Sequence, residues 1–328
     1  MSEERNNPDV NSEHLIDPSG IEVPAGWRAG EEPAEGGGRE KSRAALVSII
    51  SNTCLMLFKF AAGLITGSVA IMSEAVHSGM DLVAAFMAYC SVRVAERPPD
   101  SHHPFGHGKA EHLAALFEGL LIIAAALAVL WQAGHSFLAP EPLPDLGLGA
   151  LVMLISAIVN ILISRFLFKV GERTESAALI ADAWHLRTDV YTSFGVFAAL
   201  AGIMLGAYWK PDLNLAFLDP LCAALVGLMI LKAGGKLSWE AIGQLLDHSL
   251  TPEELKLIQD HIKAHSPFVK GYGDIKTRRS GSCRMVFMEL IVDGNMSVDE
   301  AHALGHLVAD SIKDHFPDSQ ISFQLEPK

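Results

Sequence analysis

The sequence predicts an α-helical membrane protein with six transmembrane helices and a C-terminal α+β domain. Three observations carry that expectation. Half of the 328 residues are hydrophobic and 19% are charged, against roughly 25% charged in an ordinary soluble domain. The apolar residues come in blocks free of Asp, Glu, Lys and Arg: 22 residues between Glu118 and Glu141, 19 from Leu146 to Ser164, and 20 from Val190 to Trp209. A bilayer core of roughly 30 Å needs about 20 helical residues. Beyond Ser238 the blocks stop, and short alternating segments take over.

The elements follow in chain order. The first 36 residues hold nine acids and two arginines and are rich in Gly, Pro, Glu and Asn. Such a segment cannot bury enough apolar surface to fold, so residues 1–42 read as a disordered acidic tail that carries much of the net charge of −13. It has no apolar stretch of the signal-peptide kind. Six spans then fill a transmembrane domain at 43–240: Ala44–Ile65, Val69–Val92, His112–Leu138, Leu146–Phe168, Ala177–Tyr208 and Leu213–Leu231. Residues 249–328 form the terminal domain. Pro252, Glu253 and Glu254 open a helix to about His265, and strands follow near Gly273–Arg278 and Arg284–Val292. Asp293-Gly294 breaks the second strand. Ser297 and Glu300 make a capping box for a helix to about His315, and Ser319–Leu325 closes an α-β-β-α-β order.

Basic residues fix the orientation. Arg39, Lys41 and Arg43 precede the first span, Arg93, Arg97 and Lys109 lie between spans two and three, and Lys169 and Arg173 lie between four and five. The alternate loops are poor in base, which places both termini and the terminal domain in the cytoplasm. The acidic balance argues against a nucleic-acid partner and leaves membrane lipid as the surrounding medium. Cys54, Cys90, Cys222 and Cys283 show no CxxC spacing, which argues against disulfides or thiolate zinc.

An ionisable group at membrane depth costs several kcal/mol, so each is a functional hypothesis. Span two carries Glu74, His77 and Asp81; span five carries Asp182, His185, Arg187 and Asp189. The shared regularity is His-x-x-x-Asp, which sets imidazole and carboxylate on one helix face, about 5–6 Å apart at Cβ. Two such faces brought together offer a four-coordinate N₂O₂ cage suited to Zn²⁺. A metal-free proton relay uses the same residue types, and Glu74 and Asp182 also read as helix-end groups reaching for the headgroups. Lys59, Asn52, Asp219, His112 and His135 draw no ligand role.

The segments Ser73-Glu-Ala-Val-His-Ser-Gly-Met-Asp81, Ala181-Asp-Ala-Trp-His-Leu-Arg-Thr-Asp189 and Phe105-Gly-His-Gly-Lys-Ala-Glu111 resemble those of the cation diffusion facilitator family, over about residues 43 to 326. The resemblance implies a homodimeric, six-span exporter that exchanges a divalent cation for protons. Its transport site would be His77, Asp81, His185 and Asp189, of the zinc-exporting prokaryotic kind, in a bacterial inner membrane. It further implies a second metal site at Asp100, His103 and His107, and a charge interlock between Lys109 and Asp247 at the dimer interface. The family's C-terminal two-zinc site is degenerate here: His302 is kept, Glu289 and Glu326 stand where the family has His and Asp, and Gly273 and Gln324 replace histidines. That domain is expected to dimerise and to bind metal weakly or elsewhere.

The expected function is therefore Zn²⁺/H⁺ antiport out of the cytoplasm, with Zn²⁺ as substrate and protons as counter-ion. Imidazole also suits Fe²⁺, Co²⁺ and Ni²⁺, so export of these or of Cd²⁺ stays open. A membrane-embedded zinc hydrolase is the alternative from another class. Four protein ligands argue against it, since a catalytic zinc keeps an open position. A sensor with its spans as mere anchor would have no use for paired polar positions in two of them.

Overall fold

The computed structural model describes residues 35–328 apart from residue 68, residues 139–147 and residues 210–216. Most of the expected acidic tail, residues 1–34, lies outside the described residues. Six long helices come first: α1 (Glu35–Thr66), α2 (Val69–Ala95), α3 (Lys109–Leu138), α4 (Leu148–Arg173), α5 (Ala177–Trp209) and α6 (Leu218–Leu245). Among the described residues, five helices, α1 to α4 and α6, are long and apolar enough to cross a membrane. The remaining one, α5, is 33 residues long and carries Asp182, Arg187 and Asp189 in its first half.

Two helix ends depart from expectation for one physical reason. Helix α1 begins at Glu35, ahead of the expected Ala44, because its early polar residues are bonded to the bundle. Glu40 pairs with Arg173, Lys41 donates to Glu111 at 3.1 Å, and Ser42 donates to Glu96 at 3.1 Å. Helix α6 runs to Leu245, well past the expected Leu231; the expected start of span six, at Leu213, lies outside the described residues. Its extension is amphipathic. Lys236 and Glu240 pair on the exposed face at 3.7 Å, while Leu237 and Ala241 stay buried with Ala115 and Ile122 of α3. Charge marks where a bilayer ends, and helical periodicity carries the helix further.

The helices pack chiefly as pairs, α3 on α6, α1 on α2 and α4 on α5. A Cβ at Gly119 would lie 2.4 Å from Ser238 Oγ, so α3 and α6 approach as closely as they do only because that residue has no side chain.

The C-terminal domain has α7 (Pro252–Ala264), β1 (Gly271–Ser280), β2 (Cys283–Val292), α8 (Val298–His315) and β3 (Ser319–Pro327). Capping boxes open both helices, Thr251 with Glu254 and Ser297 with Glu300. The sheet order is β1-β2-β3; β1 pairs antiparallel with β2, and β3 returns through α8 to run parallel with β2. Ile258 and Ile262 of α7, Val286, Met288 and Leu290 of β2, and Val308 and Ile312 of α8 form its own buried core. The β1–β2 turn needs Gly281, whose φ is +63°. That turn reaches the bundle: Gly281 N–H donates to His112 Nε2 at 3.2 Å, and Lys41 donates to Ser282 Oγ at 3.3 Å.

Candidate metal centre

Helix α2 presents His77 and Asp81, and α5 presents His185 and Asp189, each pair one turn apart. Packing brings the two faces together with the partners crossed. His185 Nε2 lies 3.1 Å from Asp81 Oδ1, and His77 Nε2 lies 3.8 Å from Asp189 Oδ1. Within α2, His77 Nε2 is 3.9 Å from Asp81 Oδ1. Zinc–ligand bonds of about 2.0–2.2 Å set tetrahedral donor atoms about 3.4 Å apart. The three separations of 3.1 to 3.9 Å bracket that value, and His77, Asp81 and Asp189 lie close enough together to share one ion, with His185 joined to them through Asp81. The side chains of Asp81 and His185 are buried at 7% and 12% exposure, while His77 is 53% exposed, so the cluster has one closed and one open side.

Sequence reasoning gave no role to several polar groups around this cluster. Glu118 of α3 is fully buried, and neither carboxylate oxygen has a hydrogen-bond partner. No acid, base or histidine stands three or four residues from it on α3, so no spacing rule finds it. Its position inside the expected third span was the available signal. Asp182, which the sequence also allowed as a helix-end group reaching for the headgroups, is instead fully buried. Lys59 of α1 donates to Ser78 Oγ of α2 at 2.8 Å, both buried.

The α2–α3 loop gathers the second expected set. Asp100 Oδ1 accepts from the backbone N–H groups of His102 and His103 at 2.9 and 2.6 Å. His103 Nδ1 lies 3.2 Å from the same oxygen, and His107 Nε2 lies 3.4 Å from Oδ2. The backbone N–H of His103, foremost, holds the Asp100 carboxyl below the usual carboxylate range. His102 serves through its amide and presents no ring nitrogen to the trio.

Lys109 Nζ donates to Asp247 Oδ1 at 2.7 Å. Arg278 of β1, which sequence reasoning missed, adds a second cation at 3.1 Å from Asp247 Oδ2. Lys109 first, then Arg278, lowers the Asp247 carboxyl. A larger network stands beside it. Glu111 accepts from Lys41 and, at 2.5 Å, from Ser176, while Glu175 and Glu254 take Arg279 and Arg284 at 2.5 to 2.9 Å. Burial pushes Glu254 up, but Thr251 N–H and then the two guanidiniums outweigh it, and its carboxyl lies below the usual range.

The three C-terminal candidates do not gather. His302 Nε2 faces His306 Nε2 at 3.1 Å, with both rings against Phe323. Glu289 accepts from the Asp274 N–H at 3.1 Å, and Glu326 accepts from Gln324 at 2.6 Å. Among the described residues, the two groups of three or more ligands that could hold one ion are Asp100 with His103 and His107, and His77 with Asp81 and Asp189.

Comparison with known proteins adds the following. A cation efflux transmembrane domain matches residues 45–246, and the cytoplasmic domain of cation efflux proteins matches residues 250–328. An uncharacterized transporter of Synechocystis, sll1263, is 34% identical over 86% of the chain and 89% of its own length. The cation-efflux pump FieF of Escherichia coli K12 is 33% identical over 88% of the chain and 94% of its own length. A solved structure described as that of a zinc transporter, CzrB, in its Zn form has 31% identity and a TM-score of 0.23, covering 25% of the chain and 93% of its own.

Proposed function

The chain belongs to the cation efflux, or cation diffusion facilitator, family of membrane transporters, and from that premise we propose that it carries Zn²⁺ out of the cytoplasm in exchange for protons. The family is one of transporters and not of enzymes, which removes the membrane-embedded hydrolase. Divalent metal efflux is its general activity. The observation that carries the narrower reading is the crossed pairing of α2 and α5: His77, Asp81 and Asp189 lie close enough to share one ion, and His185 Nε2 stands 3.1 Å from Asp81 Oδ1.

Proton exchange follows from the chemistry of those ligands. Imidazole binds metal only when neutral, and carboxylate only when ionised. A proton shared between His185 Nε2 and Asp81 Oδ1 and a Zn²⁺ bridging them compete for the same lone pairs. Loading metal therefore expels protons, and protons arriving from the far side expel metal. Metals other than zinc (Fe²⁺, Co²⁺, Ni²⁺ or Cd²⁺) fit a mixed N/O set less selectively.

The same reading makes all six long helices spans, with α5 lining the path. It puts both termini and residues 249–328 in the cytoplasm of a bacterial inner membrane. The basic residues on alternate loops support this orientation. The terminal domain is the surface for a homodimer, and the Lys109–Asp247 pair steadies the bundle beside it. The loop trio Asp100, His103 and His107 is a weaker second metal site.

The test is reconstitution in vesicles with an imposed pH gradient, scanning several divalent metals. Wild type should move zinc with the gradient, and Asp189→Ala should not. Transport that survives the substitution or ignores the gradient would overturn the mechanism; preference for another metal would correct the substrate.

A further inference from the structure

Three basic side chains on α4 and α5 have no part in the transport reading. Arg165 and Lys169 of α4 are exposed, and Arg187 of α5 is half-buried. The Arg187 guanidinium lies 4.8 Å from the centroid of the Phe168 ring on α4, and Phe168 meets Trp184 of α5 edge-on at 5.4 Å. Arg165, Phe168 and Lys169 share one face of α4, at spacings of three and four residues from Arg165. The stack thus lays the α5 cation against the α4 face that carries the other two. Arg165 directly follows the uncharged stretch Leu146–Ser164, so this face lies where hydrocarbon gives way to headgroups. It is the end of the bundle nearest the C-terminal domain, since Glu175, just past α4, pairs with Arg279 and Arg284.

A free lysine at this depth extends past lipid to water. A guanidinium laid on a ring is held where it is, and stacking leaves its in-plane N–H groups free to donate. Among the described residues no carboxylate pairs with Arg165, Lys169 or Arg187. Glu172, three residues beyond Lys169, is exposed and joins none of them. Elsewhere at this end of the bundle the cations are answered from within the chain, Lys41 by Glu111 and Arg173 by Glu40. A positive cluster at the bilayer edge that the chain does not neutralise takes its anion from the surrounding medium, which is lipid. Farther into the membrane the same stripe of α4 turns apolar: Leu162 and Ile158, three residues before Arg165 and four before that, are 60% and 49% exposed.

We propose that Arg165, Lys169 and Arg187 form a binding site for one anionic phospholipid in the leaflet on the side of the C-terminal domain. The Arg187 fork takes two phosphate oxygens, Arg165 and Lys169 add charge around the headgroup, and an acyl chain lies along Leu162 and Ile158. Three cations without an acid favour a lipid of net negative charge over a zwitterionic one. The site is separate from the metal quartet and is independent of which metal is carried.

Native mass spectrometry of the full-length protein, offered phosphatidylglycerol and phosphatidylcholine in equal amounts in detergent, tests the site. Wild type should retain phosphatidylglycerol in preference. Arg165→Gln should lower that preference about fivefold, the scale of one basic residue at an anionic surface. Adding Arg187→Gln should lower it about twentyfold or more on the same scale. Arg187→Lys keeps the charge without the fork and should fall between wild type and Arg187→Gln. Lys232→Gln, which removes an exposed cation of α6, should change nothing. Zinc titration of Arg165→Gln should match wild type, which reports an intact fold. Excess inorganic phosphate should leave the lipid in place, because the apolar stripe holds the chain; displacement by phosphate would assign the cluster to a free anion and overturn the lipid. Equal retention of the two lipids by wild type overturns the proposal. So does a preference that survives the double substitution, or one that Lys232→Gln lowers as much as Arg165→Gln does.

Discussion

The α2–α5 quartet and the His302 cluster of the C-terminal domain are built from the same residue types and end differently. Both contain a histidine with another potential ligand one helical turn away: Asp81 for His77, and His306 for His302. In the bundle a second helix answers with the complementary pair, so each imidazole meets a carboxylate of the other helix. In the terminal domain the histidines meet each other and an aromatic ring, and the nearby acids are engaged with a backbone N–H and a glutamine. Ligand chemistry is therefore a property of two facing elements. One helix supplies half a site, and what the other presents decides whether metal is bound.

The sharpest way to break that contrast is to unbalance the quartet without emptying it. Asp81→Asn keeps size and hydrogen bonding but removes the charge that faces both His185 and His77. Loss of one anionic ligand from a four-ligand set should cut zinc affinity by about 100-fold or more, at or beyond the upper end of what even supporting residues control. Calorimetry on the full-length protein reads it directly. Retained affinity would mean that the crossed pairing is not the ligand set.

That contrast was half legible in the sequence. The His-x-x-x-Asp repeat on two apolar blocks is a local, periodic signal, and it led straight to the four residues the bundle brings together. The elements of the terminal domain were legible for the same reason, since Ser297 with Glu300 and the Asp293-Gly294 break act within a few residues. Glu118 was not legible, because no neighbour at helical spacing advertises it. Arg278, Arg279 and Arg284 looked like ordinary charges on strands. Their pairing with Asp247 and Glu175 exists only once the hairpin docks on the bundle, and with Glu254 only once α7 packs beside the strands.

Between the two extremes stands the α2–α3 loop, where one carboxylate answers two imidazoles. Asp100 is oriented by backbone N–H groups and held below the usual carboxylate range, so it stays anionic as pH falls toward that range. Its trio is complete but exposed, with Asp100 at 49% and His103 at 57%. Such a site competes with water and should bind metal weakly. Asp100→Asn should lower the loop's metal affinity by about tenfold, within the range for residues that orient ligands, and leave gradient-driven zinc transport nearly intact. A collapse of transport in that variant would promote the loop from accessory to obligatory and blur the distinction between the two regions.

The smallest expected effect lies at the other end of the comparison. The C-terminal domain has its own core and its own three-stranded sheet, so residues 249–328 can be titrated alone. His302 and His306 offer two imidazoles at one helical turn, and zinc completes its shell with four donors. Glu289 would have to release the Asp274 N–H before it could contribute, and a backbone group left unbonded costs about 1–3 kcal/mol. That cost alone weakens a site by about one to two powers of ten. Zinc should therefore bind no more tightly than about 1 µM, the level of about −8 kcal/mol, and His302→Ala should change little in the transport of the whole protein. Nanomolar binding by the isolated domain would show that two elements had found each other after all, through rearrangement or through a second copy, and that facing geometry within one chain is too strict a criterion for a site.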